Sequence, residues 1–104
     1  LVRGERIAAV GPADSVARAA GPNARLIDLG DATLLPGLID AHTHVLLQGD
    51  ITADEYDAQV LKESIPYRTI RAVAAARRAL DQGFTTIRDL ETEGAMYADV
   101  DVKT

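Results

Sequence analysis

The order of hydrophobic patterns between Leu38 and Leu90 is the feature that most constrains the fold. Leu38-Ile39-Asp40-Ala41-His42-Thr43-His44-Val45 opens with apolar residues on both faces and turns polar toward its end. A strand buried on both faces of a parallel sheet reads this way. Residues 46–51 read as a loop containing Gly49-Asp50. Thr52-Ala53-Asp54-Glu55 matches a capping box, which predicts a short helix from about Ala53 to Lys62 with Tyr56 and Val60 on one side. Ser64-Ile65-Pro66 fits a second helix start, because proline has no N–H to waste in a first turn. Ile70, Val73, Ala76 and Leu80 then recur at spacings of three and four. Gly83 sits where that helix stops, and Phe84-Thr85-Thr86-Ile87-Arg88-Asp89-Leu90 is a strand rich in β-branched residues. Strand, helix and strand joined by a crossover of this length imply a parallel βαβ unit.

Residues 1–35 carry a different pattern. Glu5–Val10 reads as a short strand ended by Gly11-Pro12. Asp14 to Ala20 is weakly helical, and Arg25–Leu29 and Ala32–Leu35 read as two further short strands. Pro36-Gly37 then bends the chain, with glycine allowing a close backbone approach. Two segments follow: a small β unit over 1–35 and the βαβ portion over 36–104. The fold class is α/β.

Composition removes several function classes. With 47% hydrophobic and 26% charged residues the 104-residue chain is neither disordered nor fibrous. It has no cysteine, which excludes disulfides, Cys-type zinc fingers and Cys nucleophiles together. The net charge of -5 argues against a nucleic-acid partner. No apolar run is long enough for a membrane span. Leu1-Val2-Arg3-Gly4 lacks a secretory signal pattern, which makes the cytoplasm the expected compartment. The arginines at 68, 71, 77 and 78 read as a solvated helix face, and Glu91 and Glu93 as loop charges. Tyr56 and Tyr67 read as packing residues.

The residues that carry chemistry are Asp40, His42 and His44. Alternate strand residues share a face, so the two imidazoles are neighbours with Asp40 beside them. Two such imidazoles can fill two positions of one divalent metal's shell. The chain's only two histidines would fall at this spacing by chance about one time in fifty, from length alone. The competing reading is a pair of hydrogen-bonded structural histidines. The pair ends an apolar strand after a Pro-Gly bend, at the strand end that carries the chemistry in α/β folds. Arg88 and Asp89 end the second strand, so one of them faces the same mouth; periodicity does not say which. They read either as substrate-side groups or as a rim ion pair.

Leu34-Leu35-Pro36-Gly37-Leu38-Ile39-Asp40-Ala41-His42-Thr43-His44 resembles the signature of the amidohydrolase superfamily. Arg6–Gly11 and Leu26–Gly30 are similar to that family's N-terminal β segment, and Gly83–Asp89 to its second barrel strand. The nearest subgroup by resemblance is the imidazolonepropionase-like hydrolases, with Xaa-Pro dipeptidase-like members. The resemblance implies the N-terminal part of a (β/α)₈ TIM-like barrel flanked by a small β-sandwich. It implies that His42 and His44 bind Zn²⁺ or another divalent metal, in a binuclear centre in the full-length enzyme. Asp40 is then a supporting carboxylate or a structural hydrogen-bonding group. The family's other ligands, on strands 4, 5, 6 and 8, and its acid and base fall outside residues 1–104. A barrel of this kind takes about 250 residues, so the chain is expected to be an N-terminal fragment.

The reaction implied is hydrolysis of a carbon–nitrogen bond in an amide, cyclic amide or dipeptide by metal-activated water, a carboxylate carrying the proton to the leaving nitrogen. The substrate is a small or dipeptide-like molecule, and the oligomeric state is open, a homo-oligomer among the alternatives. The rival readings are a stand-alone metal-binding or interaction module and an inactive fragment.

Overall fold

The computed structural model describes residues 1–49 and 52–104. Asp50 and Ile51, which belong to the expected 46–51 loop, lie outside the described residues. The chain divides into two compact units, Leu1–Leu34 and Leu35–Thr104.

The first unit holds a hairpin and one helix. β1 (Val2–Arg3) pairs antiparallel with β2 (Arg6–Ile7). Gly4 turns between them with φ +60°, a conformation that glycine adopts without steric cost. The strand expected over Glu5–Val10 is therefore only the two-residue arm of this hairpin. α1 (Ala13–Ala20) carries Asp14 in its first turn and Arg18 in its last, both favourable to the helix dipole. The strands expected at Arg25–Leu29 and Ala32–Leu35 are not formed. No described strand pairs with either segment, and Leu26 and Leu34 are exposed. An apolar pattern makes a strand only where a neighbour takes up its amides and carbonyls. Asp28 Oδ1 instead accepts from Gly30 N at 2.8 Å, a local turn.

The second unit contains the expected parallel pair. β3 (Leu38–Thr43) and β4 (Phe84–Asp89) are hydrogen-bonded in parallel. Between them run α2 (Ala53–Asp57), a π-helical turn (Ala58–Lys62) and α3 (Ile65–Asp81). α4 (Ala98–Lys103) follows β4 and packs on α3. The helix starts are those legible in the sequence. Thr52 and Glu55 form the reciprocal capping box, and the Ser64 side chain accepts from Tyr67 N. The backbone at Gly37 lies against Thr85: a Cβ there would come within 2.6 Å of Thr85 Cβ.

Burial departs from the pattern read along α3. Val45, Leu46, Ala72, Ala95 and Ala98 form the core, with Ile65, Ile87 and Val102 partly buried against it. Ile70, Val73 and Leu80 are exposed, as are Leu38 and Ile39 of β3. Leu38 and Ile39 point to opposite faces, so the double-sided burial expected of β3 is not formed among the described residues. The side of α3 that meets the core carries Ala72 and, one turn earlier, Arg68. Arg68 was expected on the solvated face. It is 2% exposed, its guanidinium donating to three carbonyls: Leu46 O from Nε, Glu93 O from Nη1, and from Nη2 Thr92 O, which also accepts from Ala95 N. Arg71 is likewise tied down, by both oxygens of Glu63 at 2.7 Å and by Gln59. Arg77 remains a surface residue, paired with Asp81 one turn on.

Candidate functional site

The site is built at the C-terminal ends of β3 and β4. Register slips between Asp40 and Thr43: Asp40 pairs with Ile87 and Thr43 with Asp89, three steps on one strand against two on the other. Such a bulge re-aims side chains and frees a backbone group from the ladder. Here Asp40 Oδ1 accepts the His42 amide at 3.0 Å. Beyond the bulge the strand ends are tied together again. Thr43 Oγ1 donates to Arg88 O, Leu90 N donates to Thr43 O, and Val45 N donates to Asp89 Oδ1 at 2.8 Å.

His42 and His44 are brought together. Their Nε2 atoms lie 3.3 Å apart, with the rings tilted by 58°. Zinc bound at about 2.05 Å by two imidazole nitrogens in tetrahedral geometry places those nitrogens about 3.3 Å apart. The pair is thus spaced as two corners of one coordination shell. Among the described residues no group of three or more His, Cys, Asp or Glu side chains could hold a metal, so the arrangement is half a shell.

Asp40 does not touch an imidazole nitrogen among the described hydrogen bonds; its carboxylate serves the His42 backbone. Of the two residues ending β4, Arg88 is exposed and Asp89 turns inward. No described ion pair joins them. Asp89 Oδ2 is buried without a hydrogen-bond partner among the described residues. Burial pushes the Asp89 carboxyl above its ordinary 3.8; the Val45 amide opposes this and the Asp99 charge adds to it. An open cleft of about 320 Å³ reaches Asp40, Thr43, His44 and Ile87 from the α3 side, where Arg78 and Gln82 line it.

Glu93 is the residue the sequence reading missed. Read as a loop charge, it is 7% exposed. Its Oε1 stands 3.1 Å from His44 Nδ1, a charge contact lying out of line for a formed hydrogen bond. Its Oε2 accepts the Tyr56 hydroxyl at 2.7 Å, and that bond raises the Tyr56 phenol above its ordinary value. Tyr56 is therefore a polar partner as well as a packing residue. The one sequence signal was position: Glu93 lies in the loop leaving a parallel strand, where α/β folds gather their chemistry.

The chain is 40% identical over 78 residues to imidazolonepropionase from Arthrobacter sp. (strain FB24), a match covering 75% of this chain and 18% of that protein. It is 33% identical over 111 residues to imidazolonepropionase from Symbiobacterium thermophilum, covering 94% of this chain and 26% of that protein. The chain belongs to the amidohydrolase superfamily. A shorter amidohydrolase match, 51% identical over 41 residues, is to 5-methylthioadenosine/S-adenosylhomocysteine deaminase from Nitratidesulfovibrio vulgaris; it covers 39% of this chain and 9% of that protein. The chain spans about a fifth to a quarter of the length of the imidazolonepropionases it matches. No family model and no solved structure matches it. The mixed helix and strand architecture is consistent with a piece of an amidohydrolase barrel.

Proposed function

We propose that the protein is a metal-dependent hydrolase of carbon–nitrogen bonds, taking an amide, cyclic amide or dipeptide, with His42 and His44 as two ligands of Zn²⁺ or another divalent ion. The observation that carries this reading is the 3.3 Å separation of the two Nε2 atoms, which fits two corners of a zinc tetrahedron. The relatives support the reaction class, being hydrolases that act on C–N bonds.

The residues fit the group that the family implies. Both Nε2 atoms are free of backbone partners among the described hydrogen bonds and face each other. The bulge that aims His42 is closed by Asp40, which makes Asp40 a support of the site through the backbone. Asp89 anchors the first residue after His44 by holding the Val45 amide. A bound divalent cation supplies Lewis acidity and lowers the pKa of a water it holds. Two imidazoles leave room in the shell for further ligands, and among the described residues no third His, Cys, Asp or Glu joins them. The acid and base that move the proton are likewise not assigned to residues of this chain.

The substrate in this reading is a small molecule that enters from the strand ends. No helix among the described residues is long and apolar enough to cross a membrane. A cytoplasmic enzyme without a nucleic-acid partner is the reading that the net charge of -5 and the small-molecule relatives favour. Metal analysis of the intact protein tests the proposal, together with hydrolysis assays on cyclic amides and dipeptides. The expected result is bound divalent metal and activity, both lost in His42→Ala and His44→Ala. Metal-free wild-type protein with unchanged activity in His42→Ala would overturn it.

A further inference from the structure

We propose that Glu93 is a positioning residue for His44: its carboxylate, held by Tyr56, fixes the imidazole with its proton on Nδ1 and its Nε2 lone pair turned toward His42. The proposal rests on the reading of His42 and His44 as metal ligands, and it adds the group that prepares one of them.

A neutral imidazole carries one ring proton, and whichever nitrogen faces an acceptor keeps it. Glu93 Oε1, 3.1 Å away, is the acceptor facing His44 Nδ1. With the proton there, Nε2 is the unprotonated nitrogen, and Nε2 is the atom 3.3 Å from its counterpart on His42. In the resting pair His42 Nε2–H is then the donor. Glu93 Oε2 is already occupied by the Tyr56 hydroxyl at 2.7 Å, which leaves Oε1 as the oxygen that faces the imidazole.

The backbone of Glu93 shows the same over-determination. Its φ of +51° lies in the left-handed region that side chains other than glycine rarely adopt. Such strain persists only where surrounding contacts enforce it. The enforcing contact is Arg68, which donates to the carbonyls of both Thr92 and Glu93 from within the core. A buried guanidinium thus holds the backbone of Glu93 and a tyrosine hydroxyl holds its carboxylate, and that carboxylate faces one imidazole nitrogen. A residue needed only to fill the loop would require none of the three.

The test is made on the intact, metal-stripped protein with ¹⁵N-labelled histidine, using long-range proton–nitrogen correlation spectra to read which nitrogen of His44 is protonated. Zinc affinity is measured in parallel by competition with a chromophoric chelator. In wild type His44 is expected as the Nδ1–H form. In Glu93→Gln the amide keeps its oxygen on Tyr56 and turns its NH₂ toward Nδ1, so the proton moves to Nε2. Zinc affinity then falls about 10–100-fold, the usual range for loss of an outer partner. Tyr56→Phe, a milder change that serves if Glu93→Gln does not fold, is expected to mix the two forms and weaken zinc in the same direction. An unchanged tautomer and unchanged zinc affinity in folded Glu93→Gln, or in Tyr56→Phe if that is the variant that folds, would overturn the proposal while leaving the metal reading intact. If wild type binds no zinc and the tautomer still switches, the metal reading fails and the positioning role stands.

Discussion

Asp40 Oδ1 accepts the backbone amide of His42 at 3.0 Å, so the carboxylate beside the histidine pair acts on the strand rather than on a ring. The amide lies within the bulge between Asp40 and Thr43. The bulge, in turn, is what sets the aim of His42.

Asparagine retains the accepting oxygen, so Asp40→Asn is expected to keep both the fold and the zinc affinity of wild type. Asp40→Ala removes the acceptor and costs about 1 kcal/mol of stability, the usual net value of one hydrogen bond. Zinc affinity falls with it, because His42 is no longer held against His44. Urea unfolding and chelator competition on both variants check this. A weaker zinc site in Asp40→Asn would instead show that the charge of Asp40 acts on the metal.

Arg68 makes the strongest stability prediction. Three carbonyls, of Leu46, Thr92 and Glu93, accept from one buried guanidinium. Arg68→Met keeps the apolar stem and takes the donor from the Leu46 and Glu93 carbonyls, while Thr92 O keeps Ala95 N, a loss of about 3 kcal/mol. Lysine keeps the charge but not the planar fork that spans three acceptors, so Arg68→Lys is expected to lose most of the same amount. Denaturant midpoints for the two variants measure the difference. A near-wild-type midpoint for lysine would mean that charge, not geometry, is what the site requires.

Gly37 predicts a steric cost at the entrance to β3. A methyl group there meets the Cβ of Thr85 as well as its outer atoms, so no rotation of the threonine relieves the contact. Gly37→Ala is expected to destabilise by about 2 kcal/mol, in the range of overpacking. Thr85→Gly in the same chain removes the obstructing atoms and recovers part of that loss. Thermal unfolding of the single and double variants reads both effects, and an additive pair would contradict the contact.

These residues also show what was legible in the sequence. The capping box at Thr52 and the start at Ser64 are local, and local chemistry is written in local sequence. The parallel order of β3 and β4 follows from the length of the crossover between them. The closeness of His42 and His44 follows from the two-residue period of a strand. Arg68 and Glu93 were misread for a common reason. Each is a charged residue whose burial depends on partners far along the chain, and periodicity assigns charged residues to solvent by default. The lost strands at 25–29 and 32–35 fail on the same ground, since strand pairing is non-local.

Asp89 supplies a pH signature. Its carboxyl is raised above 3.8 chiefly by burial, and its Oδ2 has no partner among the described residues. In the acid range between the ordinary and the raised value, the folded protein therefore holds a proton that the unfolded chain has released. Stability falls as pH rises through that window, and above it the folded state carries the full cost of the ionised carboxylate. Asp89→Asn keeps the oxygen that accepts the Val45 amide and cannot ionise. Its stability relative to wild type is expected to increase as pH rises across the window and then to level off. Denaturant unfolding of both proteins, with chelator present so that no cation biases Asp89, over a series of acid to neutral buffers measures this difference. A difference independent of pH would show that Asp89 ionises in the folded protein as readily as in the unfolded chain, and that its unpartnered oxygen is reached by water.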